Sequence, residues 1–114
     1  MDFERLVVWQ RAMTLCCSVY QQTDKLKDFG FKQQITRSAL SIPSNIAEGM
    51  ERLTDKEKVY FLGVAKGSCA ELRTQILVGE RIGYLSPGIA KSSVQETREI
   101  SAMLHALLNK IREC

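Results

Sequence analysis

The sequence predicts an all-α protein: an antiparallel up-down-up-down four-helix bundle whose second helix is kinked near Pro43. Three observations predict it. Apolar residues recur at spacings of 3 and 4 in four long segments, the period of one face of an α-helix. Helix start and stop signals fall between those segments. Two prolines and seven glycines in 114 residues punctuate the chain too sparsely for many short strands.

The first segment runs from about Glu4 to Lys25. Leu6, Trp9, Met13, Cys16 and Tyr20 form its stripe, widened by Val8, Ala12, Leu15 and Val19. A stripe that wide predicts burial against more than one neighbour. The second segment runs from about Phe31 to Glu51, with Ile35, Ala39, Ile42, Ile46 and Met50 in phase. Pro43 removes one backbone hydrogen bond inside it. The apolar phase survives across the proline, which favours one kinked helix over two short ones broken near Ser41. Ser38, Ser41 and Ser44 are placed to meet the carbonyl freed near Ala39.

The third segment opens on Thr54-Asp55-Lys56-Glu57, a capping box. Val59, Leu62, Ala65, Cys69, Leu72, Ile76 and Gly79 follow on one face, and Gly83 is the expected left-handed stop. The fourth begins at Ser86-Pro87, an N-cap followed by a first-turn proline, and runs to about Glu113. Thr97, Ile100, Leu104, Leu107 and Ile111 form its seam. Short connections between long helices favour antiparallel neighbours. One domain, residues 1–114, is expected, with 45% apolar residues to fill its core.

The formal net charge is +3. It is spread evenly: 0 over residues 1–25 and +1 in each of 26–53, 54–84 and 85–114. No segment is a basic arm, so nucleic-acid binding would need a patch built in three dimensions or by oligomerisation. Cys16, Cys17, Cys69 and Cys114 form no CxxC pair, and His105 is the sole histidine, which is weak material for a metal site. Cys16 reads as core, and His105 as a surface or boundary residue. Met1-Asp2-Phe3-Glu4-Arg5 lacks the pattern of a signal peptide, and no apolar run has membrane-spanning length. A cytoplasmic location with reduced thiols is expected, without cofactor, metal or membrane partner.

Small and polar residues interrupt two of the apolar faces, at Ser41–Gly49 and Ala65–Leu72. Gly67, in mid-helix, costs about 1 kcal/mol against alanine, which predicts the close passage of another helix. Asn45 with Glu48, and Ser68 with Glu71, each share a helix face. Paired carboxylates could serve acid–base chemistry or a metal. No base, further ligand, nucleophile elbow or phosphate loop accompanies them. Asn45, Glu48, Ser68 and Glu71 are therefore expected to form a buried polar network, with Arg37, Arg52 or Arg73 as partners of the glutamates. No catalytic or cofactor-binding residue is predicted.

At these stretches the chain resembles a family of four-helix-bundle proteins (S23-like), related to those encoded by intervening sequences in bacterial 23S ribosomal RNA genes. The resemblance covers nearly the whole chain. It is carried by Leu6-Val7-Val8-Trp9-Gln10-Arg11-Ala12, by Gln34-Ile35-Thr36-Arg37-Ser38-Ala39 leading into Ser41-Ile42-Pro43-Ser44-Asn45-Ile46-Ala47-Glu48-Gly49, by Gly67-Ser68 with Glu71-Leu72 and Gln75, and by Gly83-Tyr84-Leu85. It implies a protomer that assembles into a ring-like homopentamer. Similar proteins include the accessory subunit of diversity-generating retroelements, which binds nucleic acid and works with a reverse transcriptase. Many members have no assigned activity. The family's paired-basic Arg-Arg-Ala is represented here by a single arginine, in Thr36-Arg37-Ser38-Ala39, which weakens a nucleic-acid role for that turn. Lys32, Arg37, Lys66 and Arg73 are the candidate contacts to RNA or DNA phosphates. The alternative is a structural or adaptor protein that binds a protein partner through exposed apolar residues such as Phe3, Phe29 and Tyr84.

Overall fold

A computed structural model describes residues 2–113. Met1, the first residue of the stretch weighed as a signal peptide, and Cys114, the fourth cysteine, lie outside the described residues. The fold is all-α: α1 spans Val7–Thr23, α2 Phe29–Met50, α3 Asp55–Arg81 and α4 Pro87–Arg112. Consecutive helices pack side by side and α1 closes the ring on α4, while α1/α3 and α2/α4 face each other diagonally across the core. Ser38 pairs with Gln75 and Ser41 with Ser68, so α2 and α3 run antiparallel. The result is a rod 46 × 21 × 20 Å.

The first helix starts later than its periodicity predicts. Asp2 caps a single 3₁₀ turn at Phe3–Arg5, accepting from Glu4 N at 3.0 Å, and Leu6 is extended. That break folds Phe3 back edge-on against Trp9, with ring centroids 5.5 Å apart. The buried line of α1 is Val8, Ala12, Leu15, Cys16, Val19 and Thr23. Met13 and Tyr20, placed in the stripe from sequence, are exposed instead. Both lines have helical period. Only one faces the neighbouring helices, so the stripe is narrower than expected. Phe3 and Tyr84 are correspondingly not exposed leftovers, whereas Phe29 is.

Asp28 nucleates α2: its Oδ1 accepts from Phe31 N at 3.0 Å. The helix then continues through Pro43 to Met50, which excludes two short helices. Ser38 and Ser41 do not turn to the carbonyl near Ala39. Their hydroxyls meet Gln75 and Ser68 of α3, because α3 passes on that side. Gly49 explains how close it passes: a Cβ there would stand 3.0 Å from Phe61 Cβ.

The capping box of α3 forms with one difference. Thr54 Oγ1 accepts from Glu57 N at 3.2 Å, and the Glu57 carboxylate accepts from the Thr54 hydroxyl at 2.9 Å. The helix ends at Arg81, and Gly83, with a φ of +82°, is the left-handed residue just past its cap Ile82. Tyr84 N donates to Gly79 O and Gly83 N to Glu80 O, the two bonds of a Schellman motif. Ser86 and Pro87 open α4 as expected. The core is filled chiefly by Ile35, Ile42 and Ile46 of α2, Leu62, Leu72 and Ile76 of α3, and Ile100 and Leu104 of α4. Buried hydroxyls are satisfied locally, Thr23 on Val19 O and Thr97 on Val94 O.

Two clasps complete the bundle. Arg11 of α1 reaches α4, where Nε and Nη2 donate to both oxygens of Glu96, at 2.9 and 2.6 Å, and Nη2 also donates to Glu99 at 2.6 Å. These bonds raise the guanidinium's pKa, and the bond from Arg11 holds the Glu99 carboxyl below its usual range. At the opposite end of α1, Tyr84 OH donates to Asp28 Oδ2 at 2.8 Å, and its ring stands edge-on to Phe31. The Phe31 amide and then Tyr84 depress the Asp28 carboxyl, while Asp28 raises the Tyr84 phenol.

Candidate nucleic-acid interface

The predicted polar network forms in part. Asn45 Nδ2 donates to Ser41 O and Oγ at 2.8 and 2.9 Å, and Ser41 Oγ lies 2.8 Å from Ser68 Oγ. Asn45 and Ser68 are thus joined across α2 and α3 through Ser41, with Ser38 and Gln75 as a second link. Glu48 and Glu71 are not members. Glu48 is exposed and pairs with Arg52 at 2.6 Å, one turn away on its own helix. Glu71 is exposed on α3. A spacing of three residues puts a pair on one helix face, but it does not place both members at the depth of a neighbouring helix.

The four predicted phosphate contacts separate into two groups. Lys32, in the first turn of α2, reaches back over the α1/α2 connection, where its Nζ donates to Asp24 O at 2.7 Å and caps the end of α1. Arg37 is exposed on α2, the helix diagonal to α4. Lys66 and Arg73 lie instead on the side of α3 that meets α4. Lys66 Nζ sits 3.0 Å from His105 Nδ1, and an ammonium can only donate, so Nδ1 is the accepting nitrogen. His105 Nε2 is 3.1 Å from the Asn109 amide. His105 is exposed, as its sequence position suggests.

The contact between Lys66 and His105 fixes the register of the α3/α4 seam. At the start of α3, Asp55, Lys56 and Val59 share a cleft with Ile111 and Arg112. In the other direction the same antiparallel register sets Arg73 at the level of Arg98. Beyond it, Glu80 and Lys91 line one cleft with Arg98, Leu77 and Val94, about 490 Å³ in volume. The acidic residues of the two helices follow this register too. On α3 none occurs between Glu57 and Glu71, and on α4 none occurs between Glu99 and Glu113. These two windows lie opposite one another. The middle of the seam therefore presents Lys66 and His105 in acid-free stretches of both helices; Arg73 and Arg98 continue it toward Glu80, and Arg112 ends it beside Asp55. Four of these residues, Lys66, Arg73, Arg98 and Arg112, are cations, and cations gathered along one seam set up a stronger local field than the same charges spread over the surface.

Arg98 and Arg112 are not among the residues the sequence points to, and His105 reads there only as a surface or boundary residue. The acid-free windows are visible in the sequence, but their coincidence needs the helix register. Two of the described cysteines are shielded, while Cys17 is exposed. Burial raises the Cys16 thiol, and it pushes Cys69 up to about 12, partly offset by Arg73. Among the described residues no three His, Cys, Asp or Glu side chains come together as a metal site, and no helix is long and apolar enough to cross a membrane.

Comparison with solved structures finds the same fold in a protein of unknown function from the S23 ribosomal protein family of Bacteroides thetaiotaomicron. Its TM-score is 0.84 at 22% identity, over 90% of this chain and 98% of that one. Comparison with curated proteins finds no match. The family model of the 23S rRNA-intervening sequence protein matches residues 4–106. The carrier stretches from Leu6 to Leu85 all fall inside that span, and the chain belongs to the 23S rRNA-intervening sequence protein family.

Proposed function

We propose that this chain is a non-catalytic, self-associating protein of the cytoplasm that binds RNA or DNA through the α3/α4 seam. One observation carries the reading: Lys66, Arg73, Arg98, His105 and Arg112 follow one helix seam whose central windows contain no carboxylate. Lysine and arginine neutralise phosphates and release counterions, so affinity falls as salt rises. Repetition of the seam around a ring-like homopentamer multiplies a field that is modest in one copy. Cys16, Cys17 and Cys69 are free thiols, which fits a reducing compartment.

Fluorescence anisotropy with a labelled RNA hairpin at two salt concentrations tests the reading. Binding that weakens with salt supports it. Replacing Lys66, Arg73 and Arg98 by glutamine should reduce the salt slope by about one for each phosphate that is no longer neutralised. Absence of binding at low salt would overturn it. A second reading, an adaptor that docks a protein partner, is favoured by the cleft at the end of the seam, where Leu77, Pro87, Ala90 and Val94 supply an apolar floor. Co-purification of a protein partner without nucleic acid would select it.

A further inference from the structure

Two outer faces of the bundle are stripped of charge. From Val7 to Thr23 the only charged residue of α1 is Arg11, and it is turned onto Glu96 and Glu99 of α4. The exposed side of α1 is left with Val7, Gln10, Met13, Cys17 and Tyr20, of which Val7 is 57% and Tyr20 45% exposed. From Val59 to Ala70 the only charged residue of α3 is Lys66, and it too is turned onto α4, at His105. The exposed side of this stretch is Tyr60, Gly63, Gly67 and Ala70, with Tyr60 65% exposed.

The glycines mark the second face independently. A helix-interior glycine costs about 1 kcal/mol against alanine. At Gly49 and Gly79 the bundle itself needs the missing Cβ, which would lie 3.0 Å from Phe61 Cβ and from Leu85 Cδ1 respectively. At Gly63 and Gly67 a Cβ would meet nothing within 4 Å. Nothing within the protomer offsets their cost. The expectation that Gly67 admits another helix thus fails inside the bundle, because Gly67 points out of it. Finally, α1 and α3 occupy diagonal corners of the bundle, so their outer faces look in opposite directions.

We infer that copies of this chain meet by packing the outer face of α1 in one copy onto the glycine-bearing face of α3 in the next. The inference rests on the self-association proposed above and adds where the contact lies. The two faces complement each other in bulk and in charge. Met13 and Tyr20 project where Gly63 and Gly67 leave room for close helix approach. Neither face forces an unpaired ion into the contact, which would be costly. Depletion of charge with tyrosine and methionine present is the composition of interface cores. The charge-free stretches run about 25 Å along α1 and about 17 Å along α3 at 1.5 Å per residue, so they form the centre of a long side, 46 by 20 Å, whose whole projected area of about 900 Å² compares with roughly 800 Å² per partner in a stable interface. Because the two faces are different and opposed, the contact is head-to-tail, the kind that closes into rings. The α3/α4 seam stays at the edge of the contact.

Light scattering after size exclusion tests this on the full chain. Wild type should assemble. Met13→Lys/Tyr20→Lys and Gly67→Leu should each shift the mass to the monomer with an unchanged far-UV circular dichroism spectrum. Leu53→Lys, at an apolar residue of the α2/α3 turn that is 97% exposed, should leave the assembly intact. Cysteine cross-linking reads the direction. In a Cys114→Ser background, Gly67→Cys should oxidise with the native Cys17 of a neighbour into a ladder of three or more chains. The same background without Gly67→Cys should not cross-link. A monomeric wild type overturns both this inference and the self-association reading. An assembled wild type whose mass resists the α1 and α3 variants overturns the placement alone, and a Cys17–Cys17 dimer in the background chain overturns the head-to-tail arrangement.

Discussion

Alanine substitution of glycine should have opposite effects at two sets of positions. Gly63 and Gly67 are exposed interior residues of α3, with open space where a Cβ would stand. Alanine there removes backbone freedom from the unfolded chain and introduces no collision. Each change should stabilise the protomer by about 1 kcal/mol, and the pair by about 2 kcal/mol because both sites are open to solvent. For a domain of this size the pair should raise the thermal midpoint by roughly 8 °C. Gly79 is the reverse case. Its added Cβ would lie 3.0 Å from Leu85 Cδ1 and 3.1 Å from Phe31 Cζ, and overpacking of that kind costs about 1–3 kcal/mol. The assay is urea denaturation followed by far-UV circular dichroism, at protein concentrations where the chain is monomeric. A Gly63→Ala/Gly67→Ala protein no more stable than wild type at such concentrations would refute the reasoning, since the protomer itself would then occupy that face.

Other predictions concern the core, the clasps and the thiols. Leu72→Ala empties a fully buried position and should cost about 2–5 kcal/mol, read by the same denaturation. Arg11→Met removes the tie between α1 and α4, whose packing is the thinnest between neighbouring helices, and should speed amide exchange in α1 before the other helices. The clasp between Asp28 and Tyr84 should weaken at both ends of the pH scale. Asp28 is depressed in the folded chain, so its contribution is present above the ordinary carboxylate range and is lost as pH falls through the depressed value. Tyr84 is raised, so its contribution is lost as pH rises through its elevated value. Tyr84→Phe should lower the thermal midpoint near neutrality, and the deficit against wild type should shrink toward both extremes. At mildly alkaline pH a thiol reagent should modify Cys17 while Cys69, pushed up to about 12 and buried, reacts only on unfolding; peptide mass mapping distinguishes them.

The parts of the fold that were legible in the sequence are those set by local chemistry. Thr54, Gly83 and Ser86-Pro87 each fix a helix end through their own backbone or side-chain preferences, and each does so here. The apolar positions of α2 and α3 were legible because one phase dominates them. In α1 two apolar lines of the same period run side by side. The choice between Met13 with Tyr20 and Ala12 with Val19 is made by the neighbouring helices, not by the segment. The candidate interface was half legible for a similar reason. Lys66 and Arg73 could be named from α3 alone. Their partners Arg98, His105 and Arg112 follow only from the register with α4. Lys32 stands apart from them, because a lysine at the start of one helix can serve the end of the preceding one.

The clasp of Asp28 with Tyr84 makes the two ends of the rod unequal. It fastens the α1/α2 connection to the α3/α4 connection by a hydrogen bond and an aromatic contact. At the other end the α2/α3 turn projects Leu53 almost wholly into solvent, and the start of α3 lies beside the end of α4. The chain could therefore be re-entered there. A circular permutant that bridges Asp2 to Glu113 and opens between Arg52 and Leu53 would keep all four helices and the clasp. One opened between Lys25 and Asp28 would cut the fastening itself.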